Sequence, residues 1–141
     1  MTEDVSCGML IKQLNSTLEK NANNALREQD LTFAQVSALL AIRDFPAQQI
    51  SLKELEKLLH VAQSTTAGII SRLEQKGLVT GYGDPSDKRI KLVKITPLGE
   101  QYCRRAEQNM YEAEEMLLSG LTETEKSTFR SLLQKVNESL K

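Results

Sequence analysis

The sequence predicts a mainly α-helical protein with one small β-hairpin, in the order α-α-α-α-β-β-α-α. Three observations support this fold class. Apolar residues recur every three or four positions over most of the chain, as on one face of a helix. Three Ser/Thr-x-x-Glu/Gln patterns mark helix starts. Two segments rich in strand-forming residues enclose a polar turn that contains proline.

The length of 141 residues predicts one domain, or one domain with extensions. Hydrophobic residues make up 40% of the chain and charged residues 26%, a balance typical of folded globular proteins. No apolar stretch approaches the length of a transmembrane helix, so we expect no membrane contact. The acidic start at residues 1–4 lacks the pattern of a signal peptide, so the expected compartment is the cytoplasm.

The net charge of −1 conceals an uneven distribution. Residues 52–96 carry eight basic and five acidic side chains, whereas the segments on both sides have more acidic than basic residues. This pattern predicts that an anionic partner binds the middle third of the chain. The alternative is that so small an excess arises by chance.

The first predicted helix extends from Val5 to about Leu26. Its apolar face consists of Met9, Leu10, Leu14, Leu18, Ala22, Ala25 and Leu26. A capping box formed by Thr32 and Gln35 begins the second helix, and Pro46 ends it. A second capping box, at residues 51–54, begins a short third helix.

A fourth helix is predicted from Gln63 to Lys76, followed by Gly77 where a helix end takes the left-handed conformation. The hairpin comes next, with strands at 78–83 and 90–95 around the polar turn 84–87. Thr96 then caps a fifth helix that has Pro97 at its first position. A third capping box, at residues 122–125, begins the sixth helix.

The third and fourth helices, joined by a tight break, have the outline of a helix-turn-helix, and the hairpin after them adds a wing. The fourth helix begins with small, uncharged, hydrogen-bonding side chains, which suit close approach to a DNA groove. The candidate DNA contacts on this helix are Gln63, Ser64, Thr65, Thr66 and Gly68. The alternative is that the Ser and Thr residues only cap the helix.

The hairpin tip carries Asp87, Lys88 and Arg89. Arg89 is predicted to enter a minor groove, where arginine is favoured. Asp87, two residues away, is predicted to hold the guanidinium in a fixed orientation without contacting DNA itself. The alternative is a solvated turn whose charges only maintain solubility, but a preceding helix-turn-helix favours the DNA interpretation.

Three segments together resemble the pattern of the MarR (multiple-antibiotic-resistance regulator) family. They are LEQKGLV at 73–79, DPSDKR at 84–89 and ITPLG at 95–99. The family pattern is Leu-Glu-x-x-Gly-Leu-Val, then Asp-Pro-x-Asp-Arg-Arg, then Leu-Thr-x-x-Gly. Leu31-Thr32 before the second helix also fits, and the resemblance covers nearly the whole chain.

The resemblance implies a dimeric winged-helix transcriptional regulator, usually a repressor, that binds a pseudo-palindromic DNA operator. Residues 1–30 and 97–141 would form the dimerisation lobe and residues 31–96 the DNA-binding lobe. The resemblance places Arg72 on the recognition helix, where we expect it, with Lys88, to contact the DNA backbone. It also implies a small aromatic effector that binds between the lobes, and no cofactor.

The chain departs from the family pattern at three places. Lys88 replaces the first arginine of the wing and so lacks a planar guanidinium. Gly81 and Tyr82 stand where arginines are frequent. Ala62 occupies the position of the recognition-helix cap, and its lack of a hydroxyl removes an interaction typically worth ~1 kcal/mol.

Two other functions compete with this one. A winged helix can serve as a protein-interaction module without DNA binding, but such a module needs neither a polar recognition face nor an arginine on the wing. No catalytic set or phosphate-binding glycine loop is visible, so we expect no enzyme activity.

The single His60 and the two separated cysteines predict no metal site. Cys7 is a redox candidate because it begins the first helix. The peroxide-sensing branch of the family has its cysteine at a similar place but pairs it with tyrosines, where this chain has Phe33 and Val36. We therefore expect Cys7 and Cys103 to be ordinary thiols.

Overall fold

A computed structural model describes residues 4–141. Its elements are α1 (Cys7–Gln29), α2 (Phe33–Asp44), β1 (Gln49–Ser51), α3 (Leu52–Leu59), α4 (Gln63–Gln75), β2 (Val79–Asp84), β3 (Asp87–Ile95), α5 (Pro97–Leu117) and α6 (Glu123–Ser139), with a short 3₁₀ turn at Pro46–Gln48. The predicted mainly helical fold with a hairpin is confirmed. No helix in the described part of the chain is long and apolar enough to cross a membrane.

The starts of α2, α3 and α6 lie where the capping boxes predict them, whereas α1 extends over Cys7–Gln29 where Val5 to about Leu26 was predicted. Thr32, Ser51 and Thr122 each accept a hydrogen bond from the backbone three residues on, and the Glu or Gln side chain there returns one. These reciprocal bonds satisfy N–H groups that have no partner within the helix. The start of α4 is different, because Ala62 makes no side-chain cap.

The sheet corrects the predicted element order. It has three strands in the order β1-β3-β2, all antiparallel, where only the hairpin was predicted. The missed strand β1 has three residues and pairs Ile50 with Val93. So short a segment becomes a strand because a partner far along the chain provides its hydrogen bonds. Three residues are too few to show the alternating pattern that predicts a strand. The hairpin strands also extend further than predicted, which leaves Pro85 and Ser86 as the turn.

One hydrophobic core lies between α2, α3, α4, α5 and the sheet. Its fully buried large side chains are Leu39, Ile42, Ile50, Leu55, Ile70, Leu73, Leu78 and Val93, with Cys103 of α5 beside them. Burying each Leu, Ile or Val contributes roughly 1.5–3 kcal/mol. This core holds the helix-turn-helix and the wing in a defined relative position.

The end of α4 and the start of α5 meet at a close backbone contact. Gly77 ends α4 with φ of 74°, a conformation that glycine adopts without strain. The hydroxyl of Thr96 donates to the Gly77 carbonyl at 2.7 Å and accepts from the Gly99 amide at 3.0 Å. A Cβ on Gly99 would lie 2.2 Å from the Leu78 carbonyl oxygen, so only glycine fits here.

The outer helices α1, α5 and α6 expose their apolar faces. Every residue of α1 and of α6 is at least partly exposed. The large exposed apolar side chains on these helices and the α6 cap are Met9, Leu10, Ile11, Leu14, Leu98, Met110, Tyr111, Met116, Leu132, Leu133, Val136 and Leu140. Large apolar side chains exposed in this number indicate a candidate interaction surface.

Candidate nucleic-acid interface

Helix α4 has one buried side and one polar side. Ile69, Ile70 and Leu73 face the core. The exposed residues are Gln63, Ser64, Thr65, Ala67, Gly68, Ser71, Arg72 and Gln75. Four of the five residues predicted at the start of this helix are therefore free to contact a ligand, and their side chains are short enough to let the helix lie deep in a groove.

The structure corrects the prediction that Thr66 contacts DNA. Its side chain is fully buried, and its hydroxyl donates to the Ala62 carbonyl at 3.2 Å. A threonine hydroxyl often bonds the carbonyl four residues back in a helix. Thr66 therefore belongs to the core side of α4 and is no DNA contact in this conformation.

Ser71 was missed from the sequence. It is exposed one turn after Ala67 and Gly68, on the polar side of α4. The signal was available, because residues three or four positions apart share a helix face. Ser71 was missed because Ile69 and Ile70 separate it from the run of small polar residues at the helix start.

The wing tip is a tight turn held by side chains. Asp84 accepts from the amide of Ser86 at 2.9 Å and from its hydroxyl at 2.7 Å, and these bonds lower the pKa of the Asp84 carboxyl. Asp87 accepts from both Nε and a terminal nitrogen of Arg89, each at 3.0 Å. The Arg89 guanidinium holds the pKa of the Asp87 carboxyl below its usual range.

The Asp87–Arg89 pair is a two-point ion pair at the exposed end of the hairpin. The Arg89 side chain is 91% exposed, whereas that of Asp87 is 33% exposed. Such a fork restricts the guanidinium to a narrow range of orientations. Arg89 thus projects from the wing in a defined direction, with Lys88 exposed beside it.

An ion pair between Lys91 of the wing and Glu74 of α4 lies beside Gly81. The Lys91 Nζ lies 3.5 Å from a carboxylate oxygen of Glu74. A Cβ on Gly81 would lie 2.9 Å from the Lys91 Cε and 3.2 Å from both Glu74 oxygens. The glycine that departs from the family pattern therefore leaves room for this contact.

The exposed side of α4 also contacts the end of α1. Lys76 donates to an Asp30 carboxylate oxygen at 2.9 Å, and a terminal nitrogen of Arg72 lies 3.6 Å from the same oxygen. These contacts, with the Lys76 hydrogen bond first, lower the pKa of the Asp30 carboxyl. Arg72, which is predicted to contact the DNA backbone, thus also lies within ion-pair distance of the Asp30 carboxylate.

A crevice of about 410 Å³ opens beside this contact, between α1, α2 and α4. Its lining combines apolar and cationic side chains: Leu26, Leu31, Phe33, Arg27 and Arg72, with Asn23, Asp30, Thr32 and Gln35. Such a lining offers contacts to an apolar group and to an anion. It lies where the resemblance places an effector.

The two cysteines lie in different environments. Cys7 is exposed at the first position of α1. Cys103 is buried, and this burial raises the pKa of its thiol to about 11. Cys103 is therefore a poor nucleophile at neutral pH. No group of three or more metal-ligating side chains occurs within residues 4–141.

Comparison with known proteins identifies the family. A model described as MarR family matches residues 29–90. The multiple antibiotic resistance protein MarR of Salmonella typhimurium is 33% identical over 135 residues, which cover 95% of this chain and 92% of that protein. An uncharacterized HTH-type transcriptional regulator of Bacillus subtilis, YxaD, is 36% identical over 87 residues, 62% of this chain and 61% of the relative.

Solved structures agree with the sequence relatives. A mutant MarR from E. coli complexed with operator DNA superposes with a TM-score of 0.68 at 34% identity, covering 95% of each chain. A mutant of S. aureus MepR shares the fold, with a TM-score of 0.88 at 23% identity over 97% of this chain and 100% of that one. The relatives are regulators and not enzymes, in agreement with the expectation from the sequence. The full-length similarity, the winged-helix fold and the matched motifs together place this chain in the MarR family of transcriptional regulators.

Proposed function

We propose that this protein is a homodimeric repressor that binds a pseudo-palindromic DNA operator and responds to a small aromatic effector. The observation that carries the DNA-binding part is the pairing of two surfaces. The polar side of α4 presents short hydrogen-bonding side chains, and the wing projects Arg89 held by Asp87. A winged helix used only for protein contacts requires neither of these.

Residues 1–30 and 97–141 form the dimerisation lobe in this proposal, and residues 31–96 form the DNA-binding lobe. The exposed apolar faces of α1, α5 and α6 support this division, because a second copy would bury them across a two-fold axis. A dimer of this kind places its two α4 helices in successive major grooves. The expected half-site spacing is about 10–10.5 base pairs.

Within each half-site, Gln63, Ser64, Thr65, Gly68 and Ser71 supply base or phosphate contacts from α4. Arg72 and Lys88 contact the DNA backbone. Arg89 enters the flanking minor groove, where narrow A·T-rich sequence concentrates negative potential. The first experiment is an electrophoretic mobility shift with the DNA upstream of the protein's own gene, and with a scrambled duplex as control.

Arg89→Ala tests the wing. We expect operator affinity to fall strongly and the preference for A·T-rich flanks to disappear, because the minor-groove contact is lost. Lys88→Ala is the matched control on the same turn. It should weaken binding to all sequences and reduce the slope of log affinity against log salt by about one. Unchanged binding by Arg89→Ala would remove the wing from the mechanism.

Asp87→Ala separates orientation from charge. Removing a negative charge beside DNA should tighten binding if only net charge matters. We expect the opposite, a loss of affinity, because a free Arg89 loses more rotamer entropy when it enters the groove. A tighter complex with Asp87→Ala would contradict the orienting role. The ion pair is exposed at the wing tip, so we expect its loss to leave the fold intact. Circular dichroism of each variant checks this.

The crevice beside Arg72 supports the effector part of the proposal. Phe33 and Leu26 offer apolar contact, and Arg27 and Arg72 supply positive charge, so an aromatic carboxylate fits the chemistry of the lining. Benzoate should raise the melting temperature and weaken operator binding, whereas neutral benzamide should do neither. Arg27→Gln should abolish the benzoate response. Equal responses to the acid and the amide would contradict anion recognition.

A further inference from the structure

The contact between Asp30 and α4 joins two parts of the chain that otherwise belong to different lobes. Asp30 lies at the end of α1, which we place in the dimerisation lobe. Lys76 is the residue that ends α4, the proposed recognition helix. Their side chains meet at 2.9 Å across 46 positions of sequence, and Arg72 lies 3.6 Å from the same carboxylate oxygen.

Both partners are held in place. Asp30 adopts a left-handed conformation with φ of 55°, and its amide donates to the Arg27 carbonyl. Aspartate tolerates this conformation better than most residues. The next amide, that of Leu31, donates to Leu26, and the Leu31 side chain is buried in the core. On the other side, the Lys76 side chain is only 17% exposed. The ion pair therefore links the hydrogen-bonded backbone at the end of α1 to a mostly buried lysine, although the Asp30 side chain itself is 78% exposed.

Two other contacts between the two regions involve residues outside α4. Arg43 of α2 forms a two-point ion pair with Glu107 of α5 at 2.7 and 2.9 Å. Gly99 packs against Leu78, where the chain passes from the wing into α5. Among the ion pairs of residues 4–141, those of Asp30 join α1 directly to α4.

We propose that Asp30 is a positioning residue for DNA recognition, which anchors the end of α4 to the end of α1 and thereby sets the distance between the two recognition helices of the dimer. This inference rests on the proposed function. In a two-fold dimer, a small rotation of each DNA-binding lobe changes the separation of the two α4 helices. DNA half-sites have a fixed separation along the duplex, so the anchor selects operators of one spacing.

The proposal also assigns different roles to the two basic residues. The Lys76 side chain is 17% exposed and donates to the Asp30 carboxylate, whose own side chain is 78% exposed, and in this proposal it holds the position of α4. Arg72 is 47% exposed and lies further from Asp30, so it can turn towards a phosphate while Lys76 stays in place. The carboxylate thus keeps both cations at the edge of the recognition surface.

Selection from a random-sequence duplex pool tests the proposal, because the selection itself reveals the operator. Wild-type protein should enrich paired half-sites with one spacing. Asp30→Asn keeps the size of the side chain and tolerates the left-handed conformation, but it removes the charge. We expect its selected pool to contain several spacings. Its affinity for the wild-type operator should fall by about tenfold, because each exposed pair contributes modestly and the dimer carries two.

Lys76→Gln should give the same broadened pool, and the double variant with Asp30→Asn should be no worse than either single variant. Glu28→Gln is the matched control. It removes a carboxylate from the same end of α1, but Glu28 pairs with Arg105 of α5 at 3.5 Å, within the same lobe. Its pool should keep the wild-type spacing.

The outcomes separate the two proposals. A pool for Asp30→Asn with a single spacing, or an affinity loss equal for all spacings, would overturn the positioning role alone. A wild-type protein that enriches no sequence would overturn the proposed function and this inference with it. Melting temperatures of all variants are compared, so that a loss of folding is not mistaken for a loss of spacing preference.

Discussion

The winged-helix region, α2 to β3, and the outer helices α1, α5 and α6 bury their apolar residues in different ways. In the winged-helix region, residues such as Leu39, Ile42 and Ile70 are fully buried within one chain. On the outer helices, Leu132, Leu133 and Val136 remain about half exposed. Both regions have similar amphipathic patterns in the sequence, yet only one completes a core within the protomer.

The difference shows that an apolar stripe predicts burial without predicting its partner. The winged-helix region packs three helices and a sheet, together with Cys103 of α5, around one centre, so its apolar stripes meet within the same chain. Among the outer helices, α1 and α6 have no buried residue, so the chain does not cover their apolar faces. A second copy supplies the missing surface in the proposed dimer, which makes the stability of these helices depend on protein concentration.

The largest effect is expected from a charge on the outer helices. Leu133→Lys places an ammonium group in the proposed dimer interface, where it would lose its hydration. We expect a monomer by light scattering and a loss of operator affinity of at least about 100-fold, because one half-site then binds alone.

Leu58→Lys is the matched control for this change. Leu58 is similarly exposed, at 51% against 45% for Leu133, but it lies on α3 of the winged-helix region. This variant should remain a dimer. A dimeric Leu133→Lys protein would show that the outer helices are not the interface.

A smaller effect is expected at the junction of the two regions. Gly99→Ala places a Cβ 2.2 Å from the Leu78 carbonyl oxygen and 2.7 Å from a side-chain carbon of Ile95. The backbone must shift, so we expect the free energy of unfolding to fall by about 3 kcal/mol in urea denaturation. Gly120→Ala, in the loop before α6, meets nothing within 4 Å and should change stability little. Equal stability of both variants would contradict the close packing at Gly99.

The smallest effect is expected at the start of α4. Ala62 has the extended conformation of a cap residue, with φ of −66° and ψ of 155°, but no side-chain acceptor. Ala62→Thr should raise the free energy of unfolding of the winged-helix region by about 1 kcal/mol. Ala62→Val is the control, because valine has the shape of threonine without its hydroxyl, and it should not stabilise the region. Thermal unfolding without DNA measures both. A gain with valine as large as with threonine would indicate packing instead of a hydrogen bond as the cause.

Local interactions explain why so much of the fold could be predicted. Thr32, Ser51 and Thr122 bond to backbone atoms only three residues away, so the sequence marks these helix starts directly. The same applies to Gly77 at the end of α4. The two-residue spacing of Asp87 and Arg89 likewise contains the information for their ion pair.

The features that depend on contacts between distant segments could not be predicted from the sequence. β1 exists because β3, more than 40 positions away, pairs with it. Thr66 and its polar neighbours look alike in sequence, and only the packing of α4 on the core turned Thr66 inward. Asp30 and Lys76 have no local relation, because an ion pair across 46 positions requires two helices already in place. The sequence by itself thus determined the six helices, the hairpin and the family, since caps, periodicity and motifs act over a few residues. Long-range packing determined which side chains face the core, the wing and the neighbouring lobe.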